Sequence, residues 1–131
     1  MNLPKILLVD DDPLTTEIIQ SSLADQYEIV CESNAEAGLK KASDLCPDLI
    51  LMDIMMPGMS GTEASRHLKT HPTTQHVPLL IISSIEKEFA SLYDGVVHAD
   101  DFIKKPVDID QLQQRIQHVL SSAGHQDGNT K

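Results

Sequence analysis

Three runs of this chain are apolar almost without interruption: KILLV at Lys5–Val9, LILMD at Leu49–Asp53 and LLIIS at Leu79–Ser83. A strand with one wet face alternates polar and apolar residues, so runs like these are strands buried on both faces, as in a parallel sheet sandwiched between helices. Two weaker strand-like runs, 27–32 and Asp101–Lys104, complete a set of five. The stretches between them are amphipathic at helical spacing. In the first, Leu14, Ile18, Ile19 and Leu23 share one face, Asp12 is placed to cap the helix, and Pro13 takes the tolerated first position. In the last, 108–122, Ile109, Leu112, Ile116, Val119 and Leu120 recur with the same period, and 86–94 supplies the fourth of five helices. Strict β-α alternation predicts an α/β fold, (βα)5, a doubly wound parallel five-stranded sheet with helices on both faces and right-handed crossovers. At 131 residues the length fits one domain, expected over 1–122. The tail 123–131, AGHQDGNTK, has no large apolar side chain to anchor it and is expected to be disordered.

Reactive groups gather where these strands end. In open sheets of this type ligands bind beyond the carboxyl ends of the strands, where the strand order reverses. The first strand runs into Asp10, Asp11 and Asp12, the third ends in Asp53 just before a Met-Pro-Gly turn, the fourth in Ser83, and the fifth in Lys105 and Pro106. The second ends in Glu32 and Ser33, with no obvious chemistry. An order 2-1-3-4-5 puts that silent strand at an edge and makes the four equipped strands neighbours. Asp10, Asp11, Asp53, the Ser83 hydroxyl and the Lys105 ammonium then share one rim.

Three carboxylates in one pocket repel each other, each pair by about 4 kcal/mol at ~4 Å and an effective dielectric near 20, so the rim needs positive charge. Lys105 supplies one unit. The remainder fits Mg²⁺, a hard ion that takes one or two carboxylates, keeps waters and accepts the oxygens of a bound phosphate. A carboxylate facing Mg²⁺ and a lysine can act as nucleophile towards a phosphoryl group. The net charge of −10 argues against direct nucleic-acid binding by this domain. No apolar run approaches the roughly 20 residues that span a bilayer, and Cys31 and Cys46, without CxxC spacing, read as reduced thiols of a cytoplasmic protein.

With these residues in place the chain resembles the receiver domains of two-component response regulators, the CheY-like family, over about 4–120. The match rests on VDDD at 9–12, DIMMPGMSG at 53–61, PLLIISS at 78–84 and DFIKKP at 101–106. The resemblance implies a flavodoxin-like three-layer sandwich in a two-component phosphorelay, with Asp53 as phosphoacceptor for a sensor histidine kinase or histidine phosphotransfer protein. It further implies Asp11 as a direct Mg²⁺ ligand, Asp10 as one largely through water, and the Met55 backbone carbonyl as another; Mn²⁺ can substitute. Lys105 is implied to pair with the phosphoryl group, Ser83 to hydrogen-bond it, Phe102 to turn inward on activation, and the Lys105–Pro106 bond to be cis. Such a domain is no conventional enzyme: it catalyses its own phosphorylation and slow dephosphorylation. Its output partner or fused effector domain reads the face of the fourth helix, fifth strand and fifth helix, through which a homodimer is also allowed.

Several positions depart from the family pattern. Ser83 stands where Thr is commoner and Ser84 where Ala is usual, while Met55 and Ile85, both apolar, flank the family's line of water attack and point to a long-lived phosphoryl group. Duller readings hold elsewhere. Asp12 is a helix cap, His67 and His71 lie on a solvated face without a third metal ligand, and the methionines near Asp53 are packing. A phosphatase of the haloacid-dehalogenase type would use Asp10 and Asp12 in D-x-D-x-T, but Thr15 comes one residue late and Asp53 is left without a role. A pseudo-receiver, a phosphorylation-independent interaction module, usually lacks one of the site residues, all present here.

Overall fold

The computed structural model describes residues 3–54, 56, 58–59, 61–84 and 99–122. Strand β1 (Lys5–Val9) leads into helix α1 (Pro13–Leu23), β2 (Glu28–Glu32), α2 (Ala35–Leu45), β3 (Leu49–Asp53), α3 (Gly61–Thr70), β4 (Leu79–Ser83), β5 (Asp101–Lys104) and a C-terminal helix (Ile109–Ser122). All pairings are parallel, and the order is β2-β1-β3-β4-β5, as the distribution of reactive strand ends required. The helix expected over 86–94 and the tail 123–131 lie outside the described residues.

Period-two alternation splits each apolar strand between two cores. Ile6, Leu8, Leu49, Leu51, Leu80 and Ile82 pack with α1 and the C-terminal helix, while Leu7, Val9, Ile50, Met52, Leu79 and Ile81 pack with α2 and α3. Gly38 lets α2 sit tightly on β1, since a Cβ there would stand 2.7 and 2.9 Å from the two methyls of the buried Val9, one residue before Asp10.

Two elements start one residue later than the pattern predicts. The Tyr27 N–H donates to Leu23 O and closes α1, so β2 begins at Glu28. Asp108 accepts from Gln111 N through its side chain and from Leu112 N through its carbonyl, so it caps the C-terminal helix and is not its first residue. One face differs outright. Of the four apolar residues read as sharing one face, Leu14 and Ile18 are 64% and 41% exposed, while Ile19 and Leu23 are buried. At 3.6 residues per turn the two i,i+4 pairs lie about 140° apart round the helix, and a helix resting on a sheet can bury just one of them deeply.

Two aspartates seat the opposite, amino-terminal ends of the strands in the same way. Asp48 donates its N–H to Lys5 O (2.8 Å) and accepts from Lys5 N through its carboxylate (2.7 Å). Asp100 does likewise with Leu79, at 2.8 and 2.7 Å, and Lys69 Nζ adds an ion pair at 2.9 Å. Each aspartate thereby satisfies the first, otherwise unpaired main-chain groups of a parallel ladder.

Candidate functional site

Asp10 directly follows β1 and Asp53 ends β3, its neighbour in the sheet, and the two are buried at 3% and 4% exposure. Asp11 is exposed beside them, and one carboxylate oxygen from each of the three lies within 4.8 Å of the others. Lys105 closes the group, its Nζ 3.0 Å from Asp53 Oδ2 and 3.1 Å from Asp10 Oδ2. Asp10 Oδ1 is engaged by the Asp12 N–H at 2.9 Å. Its buried partner Oδ2 meets the lysine as a charge contact without hydrogen-bond geometry.

Charge and burial compete here. Burial pushes the Asp10 carboxyl up to about 6 from an ordinary 3.8, with the negative charge of Asp53 adding to it and the Asp12 N–H and Lys105 opposing. Burial works against the Lys105 ammonium too, but its bonds to Asp53 and Asp10 outweigh that and hold it above its usual range. Three acids with one lysine leave the cluster two charges short of neutrality. Hard oxygen donors within 4.8 Å of one another, one a buried oxygen without a hydrogen bond, suit a small divalent cation.

Asp12 takes the duller role: its Oδ1 accepts from Leu14 N and its Oδ2 from the Thr15 hydroxyl (2.7 Å), and chiefly that hydroxyl holds its carboxyl pKa below the ordinary value. Ser83, buried at the end of β4, lies one position beyond Ile82, the register partner of Asp53, and its carbonyl accepts from Lys105 N at 2.7 Å. Phe102 is half-buried on the α2–α3 face, to which alternation along β4 also directs Ser83. The Lys105–Pro106 bond is cis. Met55 and Ile85 lie outside the described residues.

Two features were not foreseen from sequence. Leu14, Thr15 and Ile18 join Ser84, Lys105, Pro106 and Val107 around a cleft of about 340 Å³ next to the carboxylates. Arg115, on the C-terminal helix, reaches β5, donating through Nη1 to Asp101 Oδ1 (2.8 Å) and Phe102 O (2.9 Å).

Comparison with known proteins agrees with this geometry. The family model for the response regulator receiver domain matches residues 6–117. The chain belongs to that family. Receiver domains are signalling domains of two-component systems, not conventional enzymes, and they interact with histidine kinases. Response regulator PleD of Caulobacter vibrioides is 34% identical over 116 residues, 88% of this chain and 26% of PleD. Protein PilH of Pseudomonas aeruginosa is 31% identical over 118 residues, 89% of this chain and 98% of PilH. The chain thus spans about a quarter of the first relative and nearly all of the second. Among solved structures, the receiver domain of sensor histidine kinase PA1611 from Pseudomonas aeruginosa PAO1, with a magnesium ion in its active-site cleft, superposes with a TM-score of 0.83 at 22% identity, covering 91% of this chain and 98% of that one. Among the described residues no helix of this receiver is long and apolar enough to cross a membrane.

Proposed function

We propose that Asp53 accepts a phosphoryl group from the phosphohistidine of a sensor histidine kinase or a histidine phosphotransfer protein. The observation that carries this reading is the Lys105 ammonium held between Asp53 and Asp10, with Asp11 adjoining, at the carboxyl ends of β1, β3 and β5. An Asp53 carboxylate oxygen forms the new O–P bond as the donor's N–P bond breaks, its electron pair staying on the imidazole nitrogen. Lys105 moves its attention from the carboxylates to the phosphoryl oxygens, and the Ser83 hydroxyl donates to one of them. Asp10, Asp11 and Asp53 would hold Mg²⁺, or Mn²⁺ in its place, with the Met55 carbonyl as the further ligand the family resemblance implies. When bound, the ion supplies the positive charge that lets a nucleophilic carboxylate and an anionic phosphoryl group approach.

The added charge of about −1.5 to −2 draws in Ser83 and frees space for the Phe102 ring. The affected surface comprises β5 and the C-terminal helix, and an output partner or fused effector domain reads it. Slow loss of the phosphoryl group to water resets the switch.

Intact-mass spectrometry after incubation with acetyl phosphate and Mg²⁺ tests the assignment. One phosphate adduct is expected, absent in Asp53→Asn and absent in chelator. An unmodified wild-type protein, or an adduct that survives in Asp53→Asn, overturns it.

The exposed Leu14 and Ile18 line the same cleft as Lys105, so an apolar patch of the donor is proposed to pack there. Leu14→Asp together with Ile18→Asp should slow transfer from a purified phosphohistidine donor about tenfold, while labelling by acetyl phosphate is unchanged. Equal slowing with both donors would mean that the substitutions damage the site itself.

A further inference from the structure

Among the described residues strand β5 is an edge of the sheet, paired with β4. In a parallel ladder alternate residues turn their main chain towards one neighbour, and the Lys105 N–H reaches β4 at Ser83 O. By alternation Phe102 turns both of its main-chain polar groups to the open side. There the Phe102 N–H donates to Asp101 Oδ1 at 2.8 Å, and its carbonyl accepts from Arg115 Nη1 at 2.9 Å. The same Nη1 also donates to the same Asp101 oxygen at 2.8 Å, so a single guanidinium nitrogen closes a ring of three bonds around one residue. The pair is partly shielded, the Arg115 and Asp101 side chains being 38% and 21% exposed.

This ring joins the two faces of the sheet. The Phe102 ring packs against the core beneath α2 and α3, whereas Arg115 projects from a helix anchored by Leu112, Ile116 and Val119 in the core on the opposite face. We infer that Arg115 is a positioning residue that carries the response of Phe102 around the sheet edge to the C-terminal helix. Resting on the proposed role of Asp53 and Phe102, it names the link by which that site reaches its output surface. Without the link, a turn of the ring is a local rearrangement on the α2–α3 face. With it, any change in the Phe102 backbone pulls on the helix directly.

The test is NMR on the full chain, comparing amide and methyl signals with and without Mg²⁺ and beryllofluoride, a stable mimic of the phosphoryl group. In wild type, Phe102 and the C-terminal helix are expected to shift together. In Arg115→Met the Phe102 shift should persist while the shifts of Leu112 and Ile116 fall by about half or more. Because one nitrogen makes both bonds, Arg115→Lys should restore most of the response, whereas packing of the side-chain stem, which Arg115→Met keeps, would not explain the loss. Helix shifts unchanged in Arg115→Met overturn the link alone. A wild type in which beryllofluoride moves neither Phe102 nor the helix overturns the switch reading and the link with it, so the two failures are told apart.

Discussion

Lys105→Met should cost roughly 3 kcal/mol of stability in chelator at pH 7.5, a sizeable part of the roughly 5–15 kcal/mol that holds a domain together. The lysine is 17% exposed along its side chain and serves two carboxylates that are almost wholly buried. Removing it leaves two negative charges facing each other with no counter-ion, and a broken buried pair costs far more than an exposed one. The molecule's cheapest remedy is to protonate Asp10, already near 6 with the lysine in place. Urea titrations should therefore find the deficit shrinking towards pH 5, and saturating Mg²⁺ should restore much of it at pH 7.5 by replacing the missing charge. A deficit equal at both pH values and indifferent to Mg²⁺ would mean that Lys105 acts through packing of its stem. Labelling by acetyl phosphate should slow about 100-fold in the same variant, the scale of losing one well-placed donor to a developing anion.

Why the rim could be read from the sequence and other features could not follows from the range of the interactions involved. Strands buried on both faces announce themselves as KILLV, LILM and LLII, and a parallel sheet puts their carboxyl ends on one rim whatever the loops do. Asp10, Asp11, Asp53, Ser83 and Lys105 follow from strand position alone. Leu14 and Ile18 are read onto one face with Ile19 and Leu23, but helical period groups each i,i+4 pair into its own stripe, and the sheet covers just one of the two. Arg115 gave no signal: its partners are 13 and 14 positions away on another element, and an arginine between glutamines and an isoleucine looks like any solvated helix residue. Asp48 and Asp100 carried a faint one, an acid immediately before a strand, which reads equally well as a turn. The resemblance to receiver domains supplied what local pattern could not, including the cis Lys105–Pro106 bond.

Removing the metal should make the stability of this receiver fall as pH rises from about 4 to 6. Asp10 sits at about 6 in the folded chain against an ordinary 3.8, so between those values the native state binds more protons than the unfolded one, and raising pH disfavours folding. This is opposite in sign to a salt-bridged acid whose pKa is depressed, whose contribution is lost as pH falls. A divalent cation reverses the trend because it requires the ionised carboxylate. At pH 5 only about a tenth of a group titrating near 6 is ionised, so Mg²⁺ should bind about tenfold more weakly than at pH 7.5, a difference of about 1.4 kcal/mol. Thermal melts in Mg²⁺ and in chelator across this range measure it directly: the Mg²⁺-induced rise in Tm should grow with pH. In Asp10→Asn the apo protein should be more stable at pH 7.5, since a buried charge without a fully satisfied partner is gone, and the growth of the Mg²⁺ effect with pH should flatten. A Mg²⁺ effect independent of pH in the wild type would show that Asp10 is already ionised throughout, and the competition between burial and Lys105 would then be won by the lysine.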